Sequence, residues 1–190
     1  NIGVDICGIH FKNPVIAASG TFGFGKEFAD YIDLDKLGGI CSKGLTLNKN
    51  LGNSGIRIHE TPSGIMNSIG LQNPGIEYFV NEELPFLLSK DTVTIANLGG
   101  HSVEDYVKGA SILDKTDVPM IELNISCPNV KEGGMAFGTD PIKASEVISK
   151  VRKETRKPLI VKLSPNVGSI PAFAKLAEDN GADAISLVNT

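Results

Sequence analysis

The feature that most constrains this chain is a set of six short, near-continuous apolar runs, each ending in a polar residue. They occupy residues 15–18, 39–41, 93–96, 120–125, 159–163 and 184–188. Runs of this length suggest strands buried on both faces, as in a parallel sheet. Helical patterns with start signals separate the later runs. Ser102 with Asp105 opens one that carries Tyr106, Val107, Ala110 and Leu113. Asp140-Pro141 opens a second, with Ile142, Val147, Ile148 and Val151 expected inward and Glu146 and Lys150 forming an outward i,i+4 pair. Ser169 opens a third, which runs through Phe173, Leu176 and Ala177 and stops near Gly181. Residues 76–88 are also helix-like, and Pro85 should shorten or bend that helix.

Alternating strands and helices mean an α/β fold with right-handed crossovers. The choice lies between an open doubly wound sheet and a closed (β/α)8 TIM barrel. A dinucleotide fold calls for GxGxxG directly after a strand. The nearest approach, Gly20-Thr-Phe-Gly-Phe-Gly, has the wrong spacing. The polar endings favour the barrel. They are Ser19, Ser42-Lys43, Asn97, Asn124 with Ser126-Cys127, Lys162 with Ser164, and Asn189-Thr190. In a barrel these positions converge on the C-terminal face, where barrel enzymes build their sites. A complete barrel takes about 250 residues. The expectation is therefore that residues 1–190 are the N-terminal part of a single barrel domain, about six of eight β/α units, without the last two.

Charge and cysteine usage narrow the function classes. The net charge of −4 argues against a nucleic-acid partner, which calls for a basic face. No apolar run approaches the ~20 residues of a membrane span, and the first twelve residues, with Asp5 and Lys12, do not read as a signal peptide. Cys7, Cys41 and Cys127 are odd in number and form no CxxC. A reducing compartment, the cytoplasm, is expected. His10, His59 and His101 form no HxH or HExxH pair, so no metal is expected on this chain.

Two lysines at strand ends, Lys43 and Lys162, stand among carboxamides (Asn67, Asn97, Asn124, Asn129, Asn189) and few acids, Glu122 being the exception. Such a set suits an anionic, planar ligand rich in hydrogen-bonding groups, pyrimidine-like or flavin-like, because a carboxamide supplies both donor and acceptor. Residues 45–75 form a long connection without helical periodicity, which in a compact domain is usually functional or disordered. It holds a plausible hairpin about Thr61-Pro-Ser, then Asn67-Ser-Ile-Gly-Leu-Gln-Asn-Pro-Gly, whose glycines permit close approach to a ligand. Cys127 lies just past a strand end, ahead of a Gly-rich stretch suited to moving as a lid. A nucleophilic role calls for a His base and a metal role for companion ligands. Neither is found at a strand end, which leaves general acid–base work for the thiol.

Six motifs together resemble the class 1 dihydroorotate dehydrogenases in order and spacing. They are Asn13-Pro-Val-Ile-Ala-Ala-Ser-Gly-Thr-Phe-Gly-Phe-Gly, Ser42-Lys-Gly-Leu-Thr, the Asn67 segment, Asn124-Ile-Ser-Cys-Pro-Asn-Val, Val161-Lys-Leu-Ser-Pro-Asn-Val and Leu187-Val-Asn-Thr. Residues 19–25 resemble the NAD-linked subclass, class 1B. The membrane-bound, quinone-reducing class typically has Ser where this chain has Cys127. The resemblance implies a (β/α)8 barrel holding FMN at its C-terminal face. Ser19, Lys43, Gly44, Asn97, Asn124, Lys162 and Val188 are implied to line FMN. Lys43, Asn67, Ser68, Ile69, Gly70, Leu71, Asn124, Asn129, Asn189 and Thr190 are implied to hold dihydroorotate, and Cys127 to take its C5 proton as hydride leaves C6. It further implies a heterotetramer with a subunit carrying FAD and an iron–sulfur cluster (2Fe–2S), which passes electrons to NAD. Two other readings stay open: a flavoprotein like dihydropyrimidine (dihydrouracil) dehydrogenase, and a non-catalytic barrel scaffold.

Overall fold

The computed structural model describes residues 2–126 and 137–189. The chain opens with an antiparallel hairpin, β1 (Val4–Ile6) and β2 (Ile9–Phe11). Its two-residue turn is Cys7-Gly8, with φ of +51° and +80°. Positive φ at both central positions is the turn geometry that matches strand twist.

Five parallel pairings then build one sheet from β3 (Ile16–Ala17), β4 (Gly39–Cys41), β7 (Val93–Leu98), β8 (Met120–Asn124), β9 (Leu159–Lys162) and β10 (Ala184–Ser186). Their spatial order follows the chain, with β3 and β10 at the edges. Adjacent strands lie about 4.8 Å apart, so a flat sheet would hold β3 roughly 14 Å from β8 and roughly 19 Å from β9. Yet Ser19, two residues past β3, has its Oγ 3.3 Å from Glu122 Oε1 of β8 and 3.2 Å from Lys162 Nζ of β9. The sheet is therefore curled into a partial barrel, and alternate side chains of each strand meet in its interior.

The outer face carries three helices: α3 (Val103–Asp114), α4 (Pro141–Glu154) and α5 (Ile170–Asp179). Leu98, Ile121, Leu123 and Val161 point out of the sheet into a core completed by Tyr106, Leu113, Val147, Ile148, Val151 and Phe173. Each such side chain contributes about 1.5–3 kcal/mol by leaving water. The caps fall where the sequence predicts them. Ser102 Oγ accepts from Asp105 N at 3.2 Å, Asp140 Oδ1 from Ile142 N at 2.9 Å, and Ser169 Oγ from Ala172 N at 3.3 Å. Lys150 and Glu146 pair at 2.7 Å. Ile142 is a correction: it is 80% exposed, because the buried stripe of α4 runs through Ala144, Val147, Ile148 and Val151, and residue 142 falls on the opposite side.

Between β4 and β7 the chain forms an exposed antiparallel hairpin, β5 (Ile58–Thr61) and β6 (Gly64–Asn67). Two short helices follow, α1 (Ile76–Tyr78) and α2 (Leu84–Leu88), joined by a π-helical stretch at Phe79–Glu83. Pro85 lies in the first turn of α2. It cannot donate to a carbonyl four residues back and would clash with it, and widening the preceding turn removes that conflict.

The β1–β2 hairpin was not predicted. Val4, Ile6, Ile9 and Phe11 pack against Ile95, Met120 and Ile160 inside the N-terminal ends of the strands. Gly39 is required there, since a Cβ would lie 2.9 Å from the Phe11 ring. The hairpin closes one end of the curled sheet and leaves the C-terminal strand ends as the open one. Among the described residues no helix is long and apolar enough to cross a membrane.

Candidate active site

The inward positions change character along the strands. Near the N-terminal ends they are Ile95, Met120, Ile160 and Ala184. Farther toward the C-terminal ends they are Asn97 opposite Glu122, and Lys162 opposite Ser186. This upper layer is joined by hydrogen bonds. Asn97 Nδ2 donates to Glu122 Oε1 at 2.5 Å and to Ser19 Oγ at 3.2 Å. Ser186 Oγ donates to Glu122 Oε2 at 2.7 Å. Cys41 Sγ and Ser19 Oγ donate to Glu122 Oε1 at 3.2 and 3.3 Å. Lys162 Nζ donates to Ser19 Oγ at 3.2 Å. Glu122 is 7% exposed, and a carboxylate at such depth is sustained only by donors of this kind.

Cys41 responds to the same surroundings. Burial pushes its thiol well above the usual range, and the charge of Glu122 and the hydrogen bond to it add to the rise, against a smaller opposing pull from Lys162 and Ser19. The thiol stays protonated and acts as a donor to Glu122.

Asn124 stands opposite Lys162 across β8 and β9 and extends this layer toward the open end. Its Nδ2 donates to Asn97 Oδ1 at 3.4 Å, while its Oδ1 accepts from Ser126 Oγ at 2.6 Å and Ser126 N at 3.3 Å. Tyr106, buried in α3, donates its hydroxyl to the Asn124 backbone carbonyl at 2.9 Å and so pins the end of β8. Asn189 Nδ2 reaches Ser126 O at 3.3 Å, which ties the segment after β10 to the end of β8. The peptide between Leu187 and Val188 is cis, and Val188 is 39% exposed.

The connection after β4 folds back onto the strand ends. Gly44 lets Leu71 and Asn97 approach: a Cβ there would lie 2.6 Å from Leu71 Cδ1 and 3.0 Å from Asn97 Oδ1. Leu71, at φ +56°, also lies over Gly99. Asn73 locks the segment, its Oδ1 accepting from Thr46 N at 3.1 Å and Gly75 N at 2.9 Å. Ile69 O accepts from Asn53 N at 3.0 Å, and Gly70, at φ +74°, packs directly on Asn53. Lys43 lines a cavity of about 260 Å³ beside this segment, together with Lys49, Asn50, Leu51, Gln72, Asn73 and Pro74. Asn67 and Ser68 are exposed, and Ser68 Oγ accepts from Asn53 Nδ2 at 2.9 Å.

The structure thus brings together Ser19, Asn97, Asn124, Lys162 and Asn189, with Gly44 and Leu71 against Asn97. Lys43 stands beside the Leu71 segment, Asn67 ends the exposed hairpin, and Ser68 follows it, bonded to Asn53. Cys127, Asn129 and Thr190 lie outside the described residues. The sequence reading gave no role to Glu122, Cys41, Ser186 or the Tyr106 hydroxyl. A signal for one of them was present: Glu122 precedes Asn124 by two positions, so both project from the same face of β8.

Comparison with known proteins identifies the family. The family model described as dihydroorotate dehydrogenase matches residues 1–190. A protein of Petrotoga mobilis named dihydroorotate dehydrogenase B (NAD(+)), catalytic subunit, is 62% identical over 187 residues, covering 98% of this chain and 62% of that protein. Proteins of the same name from Caldicellulosiruptor bescii and Thermoanaerobacter pseudethanolicus are 56% and 53% identical over 190 residues, covering all of this chain and 63% of each relative. The chain therefore spans somewhat under two thirds of the length of these relatives.

Proposed function

The chain belongs to the dihydroorotate dehydrogenase family, and from that premise we propose that it is the N-terminal part of the catalytic barrel of an NAD-linked enzyme that oxidises dihydroorotate to orotate in pyrimidine biosynthesis. The observation that carries this reading is the convergence of Ser19, Asn97, Asn124 and Lys162 in one inward polar layer at the C-terminal strand ends.

The donor set fits FMN. An ammonium at Lys162 and the two amides supply cation, donors and acceptor to the polar edge of a heterocycle, and Gly44 keeps the backbone after β4 bare beside them. Ser19, Lys43, Gly44, Asn97, Asn124, Lys162 and Val188 are proposed to hold it. Bound there, FMN supplies a two-electron acceptor for the hydride that leaves C6 of the substrate. Cys127 takes the C5 proton, which returns to water when the thiol is regenerated. Lys43 meets the substrate carboxylate. Residues 67–71 with Asn124, Asn129, Asn189 and Thr190 fix the pyrimidine ring, and the packing of Leu71 on Gly44 and Gly99 holds their segment at the strand ends. The complete fold is proposed to be an eight-unit barrel. Its electrons pass to a partner subunit carrying FAD and an iron–sulfur cluster, in a cytoplasmic heterotetramer.

The test is an anaerobic visible spectrum of the full-length protein before and after adding dihydroorotate. Flavin bands that bleach support the reading. Flavin bands that persist with dihydroorotate but bleach with dihydrouracil move the substrate, and a protein that takes up no FMN on reconstitution refutes it.

A further inference from the structure

We propose that Glu122 is a positioning residue: it fixes the orientation of the carboxamides of Asn97 and Asn124, and with them the pattern of donors and acceptors that the strand-end layer offers its ligand. The proposal deepens the flavin reading above and rests on it for the ligand's identity.

A carboxylate accepts hydrogen bonds and cannot donate them. Four donors converge on Glu122, from Asn97, Ser186, Cys41 and Ser19. They come from four segments besides β8 itself, so the acid is the joint of the whole layer. Asn97 must turn its NH2 toward Glu122, and its Oδ1 then faces the open end of the sheet. There it accepts from Asn124 Nδ2, which turns Asn124 Oδ1 toward Ser126. Every donor in the series from Ser126 through Asn124 and Asn97 points toward the acid.

The groups left over follow by subtraction. Both Asn97 Nδ2 protons are taken, by Glu122 and Ser19. Both Asn124 Oδ1 lone pairs are taken by Ser126. Among the described residues, what the two amides and Lys162 can still offer is one lone pair of Asn97 Oδ1, one proton of Asn124 Nδ2 and the remaining protons of the Lys162 ammonium. An acceptor beside a donor recognises an N–H next to a C=O, the lactam or imide edge of a heterocycle. Lys162 is linked to the same joint, because the Ser19 hydroxyl that accepts from it donates onward to Glu122. The acid therefore also offsets the cation beside the ligand.

Glu122→Gln keeps the shape and removes the property. A glutamine can present its own NH2 to Asn97, so both amides are free to turn over and the acceptor and donor exchange places. In full-length protein the variant is expected to bind FMN at least about tenfold more weakly and to shift the flavin reduction potential upward, since a negative charge near the ring is gone. The double variant Glu122→Gln with Asn97→Asp restores a one-way bond, donated by residue 122 and accepted by residue 97, and is expected to recover most of that affinity. A purely structural role for Glu122 predicts further loss instead. A second readout needs no flavin: the Asn97 side-chain NH2 resonances in the proton–nitrogen spectrum of apoprotein should be downfield and slowly exchanging, and Glu122→Gln should abolish both features. Unchanged amide resonances together with unchanged affinity overturn the proposal. Should wild-type protein bind no FMN, the flavin reading fails alone, and the amide spectrum still decides the role of Glu122. Should Glu122→Gln not fold, the wild-type resonances and the double variant decide it.

Discussion

Stability and chemistry should be separable by end of strand, and Arg152 tests that division. Arg152 lies in the last turn of α4, on the N-terminal side of the sheet. Its guanidinium donates to Asp183 Oδ2 at 2.8 Å, to Lys157 O at 2.9 Å and, by a shorter contact, to Thr155 O. Asp183 also accepts from Leu159 N at 2.8 Å, so one fork joins the turn into β9 with the turn into β10. Hydrogen bonds to charged groups contribute about 1.5–3 kcal/mol when both partners are buried. Here the side chain keeps 23% of its exposure, and water can replace part of what is lost. Taking about 1 kcal/mol for each of three bonds, Arg152→Ala should cost roughly 3 kcal/mol. With an m-value of about 2–3 kcal/mol/M, the urea midpoint of the full-length protein should fall by about 1–1.5 M. Arg152→Lys should recover only about a third of this, because an ammonium cannot fork between two turns. Flavin affinity should be unchanged in both variants. A loss below about 1 kcal/mol would refute the clamp. A matching loss of flavin affinity would refute the separation of the two ends.

Three other outcomes are expected. Gly44→Ala should weaken FMN binding about tenfold with little change in the urea midpoint, because the new Cβ displaces Leu71 and Asn97 at the site; titration of apoprotein with FMN measures it. Asp114 is held below the usual carboxylate range by the Thr155 hydroxyl at 2.7 Å and then by Arg156 N at 3.0 Å. A depressed folded value means the stabilisation is complete above the unfolded value of about 3.9 and disappears as pH falls through the lower folded value. Asp114→Asn should therefore be less stable than wild type near neutral pH, with a gap that closes below about pH 4 in paired denaturation curves. Cys127→Ser should slow flavin reduction by orders of magnitude near neutral pH and move its optimum upward, since a serine hydroxyl is a far weaker acid than a thiol. An unaltered pH profile in stopped-flow reduction would contradict its role as base.

Elements whose signals are local were legible in the sequence. Ser102, Asp140 and Ser169 cap their helices as read, and the strand runs stand within a few residues of β4, β7, β8, β9 and β10. The β1–β2 hairpin was not. Its turn rests on a cysteine at φ +51°, outside the usual Asn-Gly or Asp-Gly signature, and its apolar residues find partners in Ile95, Met120 and Ile160, more than eighty positions away. Ile142 shows the limit of periodicity read without a phase. An apolar residue at a helix start can be assigned to either face until the buried stripe is known, and here that stripe begins at Ala144.

The site divides along a similar line, between residues recognised by type and residues recognised by surroundings. Polar residues ending apolar runs could be found one strand at a time, and the structure gathers Ser19, Asn97, Asn124, Lys162 and Asn189. Glu122 could not be found that way. Its meaning depends on donors at positions 19, 41, 97 and 186, which share nothing in sequence and meet only because the sheet curls. A lone acid inside an apolar run reads as an anomaly to be paired off with a lysine. The structure places Ser19 between the two charges, so the acid spends its four hydrogen bonds on neutral groups whose direction it dictates. A strand-end layer built from amides alone would have two hydrogen-bonded orientations of similar energy. One acceptor-only residue beneath it leaves one.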